Sequence, residues 1–247
     1  MIIDELIEIA SAKSEGRKIS DVRAGLGYTC VRLEDSSCGL AYTFRNDLGD
    51  CCGILGEAGC LIGRAGSEIM RWAGSGNLLK SAVGLAAVNA VLNDPKINWE
   101  TGNVTAALDL RPSDCFGMVG EFRPILSEAK RKTQNIYVFE QNTEKDDGLY
   151  PEEDIPKYLP GCDVVIITST SFINHTADEV LKYCKNARQV CFVGPSTPIC
   201  PQLMKNYGVS LLAGTVVTNP DLILQIVSQG GGTMSMKPAV RQVIARI

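Results

Sequence analysis

The stretch Cys115-Phe116-Gly117-Met118-Val119-Gly120-Glu121-Phe122 decides how this chain is read. Residues 115–119 form a short, nearly continuous apolar run, as in a strand buried on both faces. Gly117 and Gly120 then permit a tight turn into a helical segment at 124–133. The same alternation recurs downstream. Apolar runs at 136–139, 164–167, 190–193 and 209–213 are followed by helix-like segments at 151–159, 177–186, 198–207 and 220–228. Most of these segments open with proline, which suits a first helical position because its missing N–H is unpaired there anyway. Five βα units of this kind predict a parallel sheet covered by helices on both faces, a Rossmann-like domain over residues 106–247.

Upstream of that stretch the rhythm is different. Residues 1–14 carry Ile2, Ile3, Leu6, Ile9 and Ala10 at helical spacing, with acidic side chains in the first turns. Two β-rich runs, 21–34 and 38–45, flank Asp35-Ser36-Ser37 and predict a hairpin. Two helices follow at 67–73 and 77–93, the second with Gly84, Ala87 and Val91 on one stripe where a neighbour can approach closely. This helix-ββαα order predicts a small α+β domain over residues 1–105, with the boundary in the stretch that holds Pro95, Gly102 and Pro112.

Composition narrows the function classes. A 247-residue chain with 45% hydrophobic and 21% charged residues has enough apolar material for a real core, which excludes disorder as its main state. The 28 acidic residues exceed the 24 basic ones, giving a net charge of −4 and no basic excess for a nucleic-acid partner. Residues 1–10 lack the positive start of a secretory signal, and the most apolar window, 82–92, is too short for a membrane span. A cytoplasmic protein is expected, one whose ten cysteines stay reduced unless they bind metal or react. None forms a C-x-x-C pair. Cys51-Cys52, with Cys38 and Cys60, is the densest group, whereas Cys115, Cys162 and Cys191 read as small core residues.

Ligands of an open parallel sheet sit outside the carboxyl ends of its strands, so the residues just after each strand carry the functional expectation. After the first strand, Gly117, Gly120 and Glu121 begin a turn into a helix whose N-terminus would face an anion. Glu140 ends the second strand, where a carboxylate can accept the hydroxyls of a ribose. After the third come Thr168, Asn174, His175 and Thr176. The lone histidine is a candidate acid, base or single metal ligand, and Thr176 with Glu179 has the spacing of a capping box. After the fourth, Gly194, Ser196 and Thr197 could cap a helix or cradle an anion, and Gly214 follows the fifth. Gly230-Gly231-Gly232 could serve as a flap or a linker.

Several of these strings together resemble a known family. Gly117-Met118-Val119-Gly120, Asp163 to Thr168, Ile173-Asn174 with Thr176, Val193 to Pro198, Gly208 to Gly214 and, in the first half, Ala82 to Ala90 resemble the "putative heavy-metal chelation" family of bacteria and archaea. The resemblance covers most of the chain and implies an enolase N-terminal-like domain followed by a Rossmann-like domain, with a site in the cleft between them. It implies roles in chelating heavy metals or in processing pterin-, flavin- or siderophore-like molecules. Carried over by position, the cleft would involve Gly120, Glu121, Thr168, Asn174, Gly194 to Thr197 and Gly214, with Asn89 offered from the first domain. His175 departs from the family, where glycine is expected.

Three functional readings stand at this point. The first is a protein that binds a small anionic molecule or metal chelate in the interdomain cleft. The second is a transferase or hydrolase that uses an adenosyl nucleoside such as S-adenosylmethionine. The third is an assembly role, with a homo-oligomer as one form. A heavy or transition metal and an adenosyl nucleoside are the cofactors to consider.

Overall fold

The computed structural model describes residues 1–49, 53–102, 104–143 and 148–247. The Cys51-Cys52 pair lies outside them. Helix α1 (Ile2–Lys13) buries Ile2, Ile3, Leu6 and Ala10 along one face, as its spacing requires. It is followed by an antiparallel meander of β1 (Ile19–Ala24), β2 (Tyr28–Leu33) and β3 (Cys38–Tyr42). The run at 21–34 is thus two strands rather than one. The chain turns at Gly25-Leu26-Gly27, where a Cβ on Gly25 would fall 2.2 Å from Val227 O, and Gly25 N–H donates to Tyr28 O at 2.9 Å. The Gly-x-Gly pair was the signal for that turn.

Helix α2 (Gly66–Met70) leads through a 3₁₀ turn to α3 (Leu78–Leu92), whose first turn is capped by Asn77 Oδ1 accepting from Leu79 N–H and Lys80 N–H at 3.0 Å. Twelve of the fifteen residues of α3 are buried, so the helix is enclosed on all sides rather than lying on a surface. Glycines let its neighbours come close. A Cβ on Gly39 of β3 would lie 2.2 Å from Ala86 O and Ala90 N, and one on Gly84 would lie 2.0 Å from Ala73 N.

A short α4 (Val104–Ala107) precedes the second sheet, built from β4 (Cys115–Val119), β5 (Asn135–Glu140), β6 (Leu149–Pro151), β7 (Val164–Thr168), β8 (Gln189–Val193), β9 (Leu211–Val217) and β10 (Val240–Arg246). The order is β10-β9-β8-β7-β4-β5-β6, parallel throughout except for β10, which runs antiparallel to β9. Five of these strands were legible as apolar runs. β6 has only three residues, and β10 is an edge strand that mixes exposed and buried positions, so neither carries that signal. Connecting helices are α5 (Arg123–Lys132), α6 (Ile155–Tyr158), α7 (Ala177–Lys182), α8 (Pro201–Met204) and α9 (Pro220–Ser228), with α10 (Thr233–Met236) before β10. Among the described residues no helix is long and apolar enough to cross a membrane.

Strand order reverses at β4, which has β5 on one side and β7 on the other. A sheet of this kind opens a crevice at the carboxyl ends of its strands at the reversal. α3 locks the meander over that crevice. Asn89 Nδ2 donates to Leu40 O at 2.8 Å and to Ser196 O at 3.1 Å. Asn93 Nδ2 donates to Thr197 O and Thr215 O at 2.9 and 3.1 Å, while its Oδ1 accepts from Ile199 N–H at 2.9 Å. Ser81 Oγ lies 2.8 Å from Ile173 O and 3.0 Å from Ala73 O.

Two predictions follow from this packing. Gly39→Ala should lower unfolding free energy in urea by about 1–3 kcal/mol, because the added methyl meets helix backbone that has nowhere to retreat. Gly56→Ala, with open space around it, should leave the midpoint nearly unchanged. Asn93→Ala should cost about 2–4 kcal/mol by the same measurement, since it strands buried carbonyls and an amide at once.

Candidate functional site

The crevice at the reversal is a cleft of about 590 Å³, walled by strand-end loops of the second sheet on one side and by the end of the meander on the other. The loop after β4 forms its centre. Gly120 has φ +84°, and a Cβ there would stand 2.7 Å from Thr168 Cγ2, so the turn is pressed against the end of β7 in a shape that glycine alone meets easily. The three amides of the turn are already engaged: Gly120 N–H donates to Phe139 O (2.9 Å), Glu121 N–H to Glu140 Oε1 (2.6 Å) and Phe122 N–H to Met118 Sδ (3.4 Å). A phosphate would find no free donor among them. It would also meet the Glu121 carboxylate, whose side chain is only 11% exposed and whose partner is Arg123 Nε at 3.4 Å. The three amides on which an anion was expected at this turn are therefore engaged within the protein.

The turn after β8 is engaged in the same way. Gly194, at φ +126°, donates its N–H to Ala213 O, and Thr197 N–H returns to Gly194 O, both at 3.0 Å. The Thr197 hydroxyl is fully buried within reach of Gly194 O, Ala213 O and Ser169 Oγ. Ser196 Oγ accepts from Tyr42 N–H at 2.8 Å, fastening the end of the meander to the end of β8. These hydroxyls hold the cleft in shape.

After β7, Thr168 Oγ1 and Thr170 Oγ1 stand 3.0 Å apart, and Ser171 Oγ donates to Thr168 O at 2.7 Å. The capping box expected between Thr176 and Glu179 does not form. Thr176 Oγ1 donates instead to Asn174 Oδ1 at 2.9 Å, while Glu179 pairs with Lys182 and Tyr183.

Of the residues proposed from sequence, Gly120, Glu121, Glu140, Thr168, Asn174, Gly194 and Ser196 line the cleft. The other five do not. Gly117 lies inside β4, where a Cβ would stand 2.6 Å from Leu159 Cδ1 and 3.1 Å from Cys162 Sγ, so it serves close packing. Thr197 and Asn89 are buried supports, and Gly214 sits within β9 under Ile199. His175 is turned away: its Nε2 is 2.9 Å from Ser75 O in the first domain, and its Nδ1 is buried without a partner among the described residues. It adopts φ +62°, the left-handed conformation that favours glycine, which accounts physically for the glycine expected there.

Several lining residues were missed by sequence. Tyr28, Tyr42 and Phe44 form an aromatic wall from the first domain, with ring centroids 6.0 and 5.3 Å apart in edge-on pairs. Asp47 and Glu152 add carboxylates. Burial pushes the Glu152 carboxyl above its ordinary range, reinforced by the neighbouring Glu140 and Glu153 charges and opposed by a hydrogen bond with Gln141. Glu152 directly follows β6, the strand too short to be seen in the sequence. Among the described residues lining the cleft there is no lysine, arginine or histidine.

Among the described residues the cysteines do not build a metal centre. Cys115 and Cys162 approach to 3.2 Å between sulfurs at the opposite end of β4, and Cys162 and Cys191 are buried. Among the described residues no group of three or more His, Cys, Asp or Glu side chains is arranged to hold a metal ion.

Comparison with known proteins matches both halves. The DUF4213 family model matches residues 6–92 and the DUF364 model residues 103–246, each described as "Putative heavy-metal chelation". An uncharacterized protein of Methanocaldococcus jannaschii is 30% identical over 254 residues, covering 98% of this chain and 96% of that one. Two crystal structures of DUF364 proteins of unknown function share the fold. One from Desulfitobacterium hafniense has a TM-score of 0.82 at 23% identity over 99% of each chain. One from Pyrococcus horikoshii has a TM-score of 0.87 at 23% identity over the whole of each.

Removing the Ser196 hydroxyl strands the Tyr42 amide at the cleft wall. Ser196→Ala should cost about 1–3 kcal/mol in denaturant unfolding, and amide exchange at Tyr42 should quicken relative to wild type.

Proposed function

Because the chain belongs to the DUF4213–DUF364 family, we propose that the interdomain cleft binds one small organic ligand bearing adjacent hydroxyl groups, of nucleoside type, alone or carrying a metal as cargo. The observation that carries this reading is Glu140. It ends β5 beside the strand reversal, lines the cleft and leaves one carboxylate oxygen for a ligand while the other holds Glu121 N–H. A carboxylate at that place in a doubly wound sheet suits a ribose diol. In the enolase N-terminal-like and Rossmann-like reading of the two domains, the first supplies the aromatic wall on which a planar ring can lie, and the second supplies the hydroxyl-binding carboxylate.

The family description concerns heavy metals, but the described side chains alone offer no chelating set. A metal would therefore enter already coordinated by the organic ligand. A nucleoside-dependent transferase acting on pterin-, flavin- or siderophore-like molecules is the second reading, and it uses the same Glu140 contact. Adenosine titrated calorimetrically should bind with a stoichiometry near one. Glu140→Gln should weaken it by about 10- to 100-fold, the usual worth of a hydrogen bond to a charged group. Equal affinity in the variant, or no adenosine binding, would count against the reading.

A further inference from the structure

The charge of the cleft says more about its ligand than the fold does. Four carboxylates, Asp47, Glu121, Glu140 and Glu152, face a space that holds no basic side chain among the described residues. The nearest guanidinium, Arg123, meets Glu121 only at 3.4 Å, and its own side chain is 72% exposed at the rim. The usual compensation for an anionic ligand is backbone N–H groups at a glycine turn and helix N-terminus, and most of those at these two turns are already engaged. The amides of Gly120, Glu121, Phe122, Gly194 and Thr197 all have protein acceptors. Independently of the carboxylates, the cleft is also lined by Tyr28, Tyr42 and Phe44, aromatic rings whose faces attract cations through the ring quadrupole.

We infer that the ligand of this cleft is an organic cation, its positive group lying among Glu121, Glu140 and Glu152 and its planar part against the aromatic wall. The inference rests on the reading of the cleft as a nucleoside-type site and adds the sign of the ligand's charge. Half-burial strengthens the effect, since carboxylates removed from water attract a cation more than exposed ones and repel a phosphate equally. Glu152 reports the same surroundings: burial raises its proton affinity, and the neighbouring Glu140 and Glu153 charges add to that.

Three probes that share one nucleoside and differ only at the 5′ position separate the possibilities: 5′-amino-5′-deoxyadenosine, adenosine and adenosine 5′-monophosphate. Titrated into the full-length protein at low salt and neutral pH, they should bind in that order, each step at least about tenfold. The spread should narrow in 0.5 M salt. Glu152→Gln and, separately, Glu121→Gln should each reduce the preference for the amine over adenosine several-fold. Two variants at different loops guard against one of them misfolding. The monophosphate binding as well as adenosine, or the amine showing no advantage, would overturn the inference while leaving the nucleoside reading intact. Failure of all three to bind would overturn both.

Discussion

Two carboxamides on one buried helix hold this molecule together. Asn89 and Asn93 lie one turn apart on or just beyond α3, and their side chains bond to backbone groups of β3, of the turn after β8 and of β9. Burying such groups is costly unless they are bonded, and here both Nδ2 donors are satisfied by backbone carbonyls, while Asn89 Oδ1 is buried without a partner among the described residues. The consequence is geometric. A side-chain amide can donate in two directions at once, so each asparagine ties the meander or its helix to the second sheet at fixed spacing. Apolar packing alone, which is non-directional, would not set that spacing.

That constraint gives the cleft its two walls. The end of the meander cannot drift from the strand ends, because Tyr42 N–H is also held by Ser196 Oγ. Aromatic side chains of the first domain are thereby kept facing carboxylates of the second across the strand reversal. The loops of the second sheet use many of their own hydroxyls and amides internally, which braces them and engages the amides of Gly120, Glu121, Phe122, Gly194 and Thr197. His175, in a left-handed conformation against Ser75, belongs to the same bracing and not to the cleft lining.

The sequence carried the architecture wherever a long run shared one environment. The doubly buried strands at 115–119, 164–168 and 189–193 are visible because four of the five residues in each are buried. β6 and β10 escaped because a three-residue strand and a partly exposed edge have no such run. At the site, loop residues that follow recognisable strands were legible, including Glu140 and Gly120. Glu152 was not, because its strand was not. Tyr28, Tyr42 and Phe44 look like ordinary strand residues, and only the docking of one domain on the other turns them toward a ligand. The anion cradle read from Gly117 and Gly120 meets a feature that sequence hides. Whether a turn's amides are free depends on which side chains return to it, and here Glu140 and Met118 do.

The central claim is that one ligand is gripped by both domains at once. Hydrogen–deuterium exchange with and without saturating 5′-amino-5′-deoxyadenosine tests it most directly. The account predicts simultaneous slowing at residues 42–47 of the first domain and at 119–122 and 140–142 of the second. Slowing confined to one domain, slowing elsewhere in the chain, or none at all would contradict it.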